Sequence, residues 1–235
     1  SLHSQLKTRV IDFEREPVSR VLKGASFDLI LMVNTLNEIR FDKRVRLIEQ
    51  LLRGSLTSGG KILIIEPALQ KTTRELMELH DHLLERKLAK VLAPCLHQHS
   101  CPMLREGQRD WCHTYLEWER PEMIAEFDHR IGIRKDYLKC SYLILEKKQE
   151  NSLPEKLAGG PAPWRAVSSL MRSNGKNQLV LCGESGARDG RLLHTERLDS
   201  DRSRFNIPLD QAKRGDIFLM EPIQKITKET LIRKL

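Results

Sequence analysis

Three of the five cysteines, Cys95, Cys101 and Cys112, fall in one strip of sequence. The strip reads Pro94-Cys95-Leu96-His97-Gln98-His99-Ser100-Cys101-Pro102, and Cys112, within Trp111-Cys112-His113, follows Cys101 after ten intervening residues. Reduced thiols gathered this way usually bind metal. Tight zinc knuckles leave about two to four residues between ligands, and the gaps here are wider. An irregular loop giving three thiolates, joined by one distant thiolate, suits a cubane iron–sulfur cluster, whose ligands need only reach four corners. Zinc is the alternative metal. The fourth ligand is open among Cys140, Cys182, His97, His99 and His113. Cys140 lies in a strand pattern, Lys139-Cys140-Ser141-Tyr142-Leu143, where cysteine is usually a small buried hydrophobe. Cys182 ends a strand and opens a turn, Leu181-Cys182-Gly183-Glu184. A nucleophilic role for Cys95 is not expected. A Pro-Cys pair that attacks a base stands just after a central strand, whereas Pro94-Cys95 reads as following a long helix.

A second set of polar residues stands where strands should end. Ligands of open α/β sheets bind outside the carboxyl ends of the strands. Asn34-Thr35-Leu36-Asn37-Glu38 follows one apolar run, Glu66-Pro67-Ala68 follows another, and Asp12 closes a third. Asn and Asp in such places can hold an adenine amino group or an amino-acid moiety, which makes Asp12, Asn34, Asn37 and Glu38 candidates for S-adenosylmethionine binding. The G-x-G turn that would bring backbone against such a cofactor is missing from the chain. His80 and His82 sit on the polar side of a helical pattern and are expected at the surface.

These residues must be positioned by an alternation of strands and helices. Phe27 to Asn34 is a continuous apolar run, as expected of a parallel strand covered on both faces. Phe41, Val45, Ile48 and Leu52 then form one helical stripe, which Thr57-Ser58-Gly59-Gly60 stops before a second buried strand, Lys61 to Glu66. That is a β-α-β unit. Thr8 to Phe13 reads as the end of an earlier strand. Thr72 and Glu75 fit a capping box for a helix whose stripe, Leu76, Leu79, Leu83, Leu88 and Val91, runs to Pro94. Alternating patterns at Trp111–Glu119 and Cys140–Lys147 predict two paired strands separated by a charged segment. Gln149 to Pro163 is a linker, and the short runs beyond it predict a small β-barrel or sandwich. The expected organisation is therefore 1–148, a partial Rossmann-like domain that includes the cysteine-rich loop 94–113; 149–163, a linker; and 164–235, a small β-domain.

Composition narrows the partners. The 235 residues carry 40 Lys and Arg against 32 Asp and Glu, a formal charge of +8. This favours a polyanionic partner. Basic residues are frequent beyond the linker (Arg165, Arg172, Lys176, Arg188, Arg191, Arg197, Arg202, Arg204, Lys213 and Arg214) and suit phosphate contacts whose strength falls with salt. No run approaches the eighteen or so apolar residues of a membrane span, so no membrane partner is expected. With no secretory h-region at the start, the cysteines belong in a reducing compartment.

The motifs in order, namely Asn34-Thr35-Leu36-Asn37-Glu38, Ile64-Ile65-Glu66-Pro67, Ala93-Pro94-Cys95-Leu96-His97, Cys101-Pro102, Asp110-Trp111-Cys112-His113 and Ser141-Tyr142-Leu143, resemble the small-ribosomal-subunit methyltransferase-like family. That family comprises mitochondrial methyltransferase-like assembly factors and their bacterial relatives. The similarity runs from about Arg9 to Met220, with the cysteine block its most specific part. The resemblance implies the C-terminal part of a class I methyltransferase-like Rossmann domain, a cysteine-rich metal loop and a small C-terminal β-barrel-like domain. It also implies a four-cysteine 4Fe-4S site whose ligands fall on Cys95, Cys101, Cys112 and Cys182, with no ligand at Cys140. Small-subunit ribosomal RNA and ribosomal proteins are the implied partners, in assembly or translation. Methyl transfer from S-adenosylmethionine to ribosomal RNA is the alternative activity, with cofactor binding possible in the full-length protein. A bacterial cytoplasm is the first compartment expected and the mitochondrial matrix the second.

Overall fold

The structure, a computed structural model, describes residues 7–13, 15–133, 135–147, 161–184 and 190–235. The first half builds α1 (Val18–Leu22), β1 (Phe27–Val33), α2 (Phe41–Gly54), β2 (Leu56–Pro67), α3 (Gln70–Glu85), β3 (Ala89–Ala93), α4 (Pro102–Glu106), β4 (Thr114–Glu117), α5 (Glu122–Arg130) and β5 (Tyr137–Lys147). Their strands form one sheet in the order β1-β2-β5-β3, with β4 on β5. β1 and β2 are parallel, and β5 runs antiparallel to both β2 and β3. This is a mixed α/β arrangement. Apolar stripes of α2 (Leu47, Ile48, Leu51, Leu52) and α3 (Leu76, Leu79, Leu83) bury with Ile62, Ile64, Val91 and Leu145 of the sheet, each fully buried side chain stabilising by about 1.5–3 kcal/mol.

Several local expectations are corrected. Residues 8–13 are not a strand; the Asp12 carbonyl accepts from the N–H groups of Arg15 and Glu16 in a turn. β1 is not covered on both faces, since Leu29, Leu31 and Val33 are all more than half exposed. It lies at the end of the sheet order, so among the described residues no strand borders its outer edge. Thr57 to Gly60 does not interrupt β2 but belongs to it, beside a register shift against β1. Gly60 permits the approach there, because a Cβ would stand 2.8 Å from the Phe27 carbonyl oxygen.

The helix expected to reach Pro94 stops at Glu85. Lys87 takes a left-handed φ of 55°, and 89–93 returns as β3 with Ala89 and Val91 buried around an exposed Lys90. Periods of two and 3.6 overlap over so short a run, and pairing with β5 decides between them. Thr72 is not an N-cap, for the helix opens at Gln70, and Glu75 pairs instead with the buried Arg44 at 2.6 Å. Pro94-Cys95 therefore follows a strand after all. That strand is the last in the sheet order, so the central position a base-attacking cysteine needs is still unmet. The expected pair of strands forms as β4 and β5, and the charged segment between them contains α5.

The second half comprises β6 (Ala162–Ala166), β7 (Met171–Ser173), β8 (Lys176–Glu184), β9 (Gly190–Leu198), β10 (Ile217–Met220), β11 (Lys225–Ile226) and β12 (Arg233–Lys234). They make a single seven-stranded sheet, ordered β11-β9-β8-β6-β10-β12 with β7 on β8. It curves as a half-barrel rather than closing into a barrel or doubling into a sandwich. Trp164, Leu179, Leu181, Leu193 and Phe218 fill its core. Most of the expected linker lies outside the described residues, while Ala162 and Pro163 already belong to β6.

Candidate metal centre between the two sheets

Alternation along β6 and β8 sends one set of side chains into the half-barrel and the other toward the first sheet. Trp164 fills the core, whereas its neighbour Arg165 faces its register partner Cys182, as directly opposed residues share a face. On the other side, β3 ends at Ala93 and the chain turns through a cis Ala93-Pro94 bond into the cysteine strip. Gln98 anchors that turn by pairing with both backbone groups of Val91, accepting at 2.9 Å and donating at 2.6 Å. Arg74 of α3 donates to the carbonyls of Gly107 and Asp110, and Trp111 Nε1 donates to the Ala68 carbonyl. Ser141 donates to the Cys112 carbonyl at 3.1 Å, which leaves Thr73 as the donor in its 2.6 Å contact with Ser141.

Cys95, Cys101, Cys112 and Cys182 line one cavity together with His80, His97 and Arg165. The cavity has room for a few waters. Cys140 does not line it. Burial lifts three of the thiols. Cys95 and Cys182 stand well above their ordinary value, and Cys101 is pushed up to about 12, with neighbouring cysteines adding to the rise. Among the described residues, no three His, Cys, Asp or Glu side chains stand close enough to hold a single metal ion.

His97 lies between the sheets. Its Nδ1 accepts from the His99 backbone N–H at 3.2 Å, so the ring proton belongs on Nε2, which lies 3.6 Å from Cys182 Sγ. Burial holds its pKa down to about 4. The opposite wall is Gly190, where a Cβ would stand 2.6 Å from the ring. Gly190→Ala should therefore displace His97 and destabilise the protein by about 1–3 kcal/mol. Thermal melting checks this, and adding His97→Ala should recover part of the loss; equal losses in the single and double variants would contradict it. His99 with Glu184 (3.4 Å) and Arg105 with the Gly190 carbonyl (2.9 Å) add contacts between the loop and the half-barrel.

Two of the residues around the cavity differ from their sequence reading. Arg165, expected to contact phosphate, is 5% exposed, and its Nη1 donates to Cys112 Sγ at 3.5 Å. Among the described residues no carboxylate pairs with it. A single Arg within Ala162-Pro163-Trp164-Arg165-Ala166-Val167 was a sign of burial that the charge count hid. His80, expected at the surface, is 2% exposed; Asp81 accepts from its Nδ1 at 2.7 Å and from the Cys101 N–H at 2.7 Å, leaving His80 Nε2 buried without a partner. Arg197 is also buried rather than available to phosphate, and Arg188 lies outside the described residues.

The strand-end residues lie elsewhere. Asn34 takes a left-handed φ of 51° just after β1, and Asn37 donates to Glu38 at 2.9 Å. Glu66 is buried, one oxygen accepting from the N–H groups of Thr35 and Leu36. Its other oxygen and Asn37 Oδ1 are buried without partners. Asp12 lies in its turn with Arg15 beside it at 3.4 Å. The cavity lined by the thiols does not reach Asn34, Asn37 or Glu38.

No helix among the described residues is long and apolar enough to cross a membrane. No curated protein matches the chain. The family described as mitochondrial small ribosomal subunit Rsm22 matches residues 2–216, which take in the whole cysteine strip, β6 to β9 and Cys182. The chain thus belongs to the mitochondrial small ribosomal subunit Rsm22 family, the methyltransferase-like group that its motifs resemble.

Proposed function

We propose that the protein is an RNA-binding factor of the small ribosomal subunit, of methyltransferase-like fold, acting in assembly or translation. In this reading an iron–sulfur group held by Cys95, Cys101, Cys112 and Cys182 fastens its two sheets together. Buried Arg165 carries the metal part of the reading. An unpaired buried charge costs several kcal/mol, and neutral thiols do not offset it. Metal-bound thiolates do, and binding also relieves the burial that disfavours thiolate in the free side chains. The donor set of soft sulfurs suits iron–sulfur or zinc. Thiolates on one zinc, at about 2.3 Å each, sit roughly 4 Å apart. A cubane spreads them more widely because each binds a different iron, so the two metals demand different spacings of the same four sulfurs.

The family description supports a ribosomal partner, and a mitochondrial compartment, the second of the two expected, is the one it favours. The exposed cations Arg172, Arg191 and Arg204 support the RNA part. Anaerobic purification with iron, sulfide and zinc analysis tests the metal. Iron with matching sulfide is expected, while zinc in place of iron, or no metal, would refute the cluster. Binding to small-subunit ribosomal RNA should weaken steeply between low and moderate salt. A second reading, methyl transfer from S-adenosylmethionine, is favoured by the two unpartnered oxygens on Asn37 and Glu66 at the strand ends. Calorimetric titration with the cofactor decides it, since absence of binding heat removes that reading.

A further inference from the structure

Among the described residues, the end of β5 beyond the main sheet pairs only with β4, leaving a two-stranded ribbon over Tyr137–Lys139. Its two faces differ in chemistry. Tyr115 lies opposite Lys139 and Glu117 opposite Tyr137, while Leu116 and Leu138 fall on the reverse face. Rings extend the first face into a row: Trp111 to His113 at 5.7 Å, His113 to Tyr115 at 5.4 Å, and Tyr115 to Tyr137 at 6.0 Å between centroids. Lys139 Nζ stands 5.1 Å from the Tyr115 ring and the Arg214 guanidinium 5.6 Å from it. Glu117, the acidic member of this face, is matched by Lys213 at 2.6 Å, so the local field stays positive. Tyr137, at the outer end of the row, is 48% exposed.

We infer that this face is a stacking platform for single-stranded RNA, with bases laid on Tyr137 and Tyr115 and phosphates met by Lys139 and Arg214. The inference rests on the RNA-binding reading above and adds the site and the form of RNA. Flat rings interleaved with cations match unstacked bases on a phosphate backbone. Paired RNA keeps its bases stacked on one another and offers such rings nothing to cover. A protein partner would seek the apolar Leu116 and Leu138 side instead.

The test is fluorescence anisotropy on the whole chain with a labelled oligouridylate and, separately, a labelled RNA hairpin duplex. Tyr137→Ala should weaken oligouridylate binding about tenfold, the loss of one stacked base, and leave the duplex unchanged; Tyr137→Phe should bind as wild type. Lys139→Ala should lower the salt slope by about one. The platform is overturned if Tyr137→Ala binds oligouridylate as tightly as wild type, or loses both RNAs equally. Wild type that binds neither RNA overturns the RNA-binding reading as well. Tyr137 is exposed, and the melting curve of the variant separates either result from misfolding.

Discussion

Cys182→Ser is expected to abolish stable metal binding and to loosen the half-barrel from the first sheet while leaving the β1-α2-β2 unit folded. Cys182 is the thiol on the cavity that comes from the second sheet, so under the proposed cluster its loss would remove the ligand that joins the two sheets. Structural metals contribute on the order of 10 kcal/mol of apparent binding energy to the domains that hold them. A loss of even about 3–4 kcal/mol would lower the melting temperature by roughly 10 °C in a chain of this size. Iron content, melting temperature and protease sensitivity between the sheets are the measurements. Cys140→Ser is the matched control, since Cys140 lies on β5 away from the cavity and should retain full metal. Wild-type iron and melting in Cys182→Ser, or equal loss in both variants, would remove the proposed tether.

Arg197→Met should be the most damaging change inside the half-barrel. The Arg197 guanidinium is 1% exposed; Nη1 donates to the backbone and side-chain oxygens of Asn206 at 3.1 and 3.0 Å, and Nη2 donates to Asp210. Asn206 is itself fully buried, and the variant takes one hydrogen bond from each of its oxygens, leaving those from Ser203 and Leu209, while Asp210 keeps only Arg202. Breaking a buried pair in this way costs about 3–5 kcal/mol. The effect should depend on pH. Burial lifts the Asp210 carboxyl, but hydrogen bonds from Arg197 and Arg202 outweigh this and hold it below its ordinary range. A depressed carboxylate contributes stability above its unfolded pKa of about 3.9, and that stability is lost as pH falls through the folded value. The melting gap between wild type and Arg197→Met should therefore narrow as the medium is acidified below about pH 4. A gap that widens there would contradict the assignment.

Much of the first sheet was readable without coordinates. The runs Phe27–Val33 and Lys61–Glu66 and the stripe between them became β1, β2 and α2, because continuous apolar runs and a 3.6-residue period each fit one kind of element. Elements whose period was ambiguous were not readable. The 88–93 stretch fits a helix or a strand until β5 lies beside it, and α5 is hidden in a segment whose Met123 and Phe127 stay exposed. Burial of polar groups was harder still. His80, Arg165 and Arg197 read as surface residues because a charged or titratable side chain is usually solvated; Arg165 and Arg197 meet Cys112 and Asp210 only through the fold, and His80, though its partner Asp81 is its neighbour in sequence, is buried by the packing of the cysteine strip against α3.

Residue type and spacing alone determined that Cys95, Cys101 and Cys112 sit in one strip suited to soft-metal chemistry, and motif order pointed to the family. Tertiary structure alone decided that Cys182 on β8 lines the same cavity as those three, that Cys140 does not, and that Arg165 stands buried among them. The reason is physical: spacing constrains neighbours within one element, whereas which faces of two separate sheets meet depends on packing and on the pairing of buried charges across them.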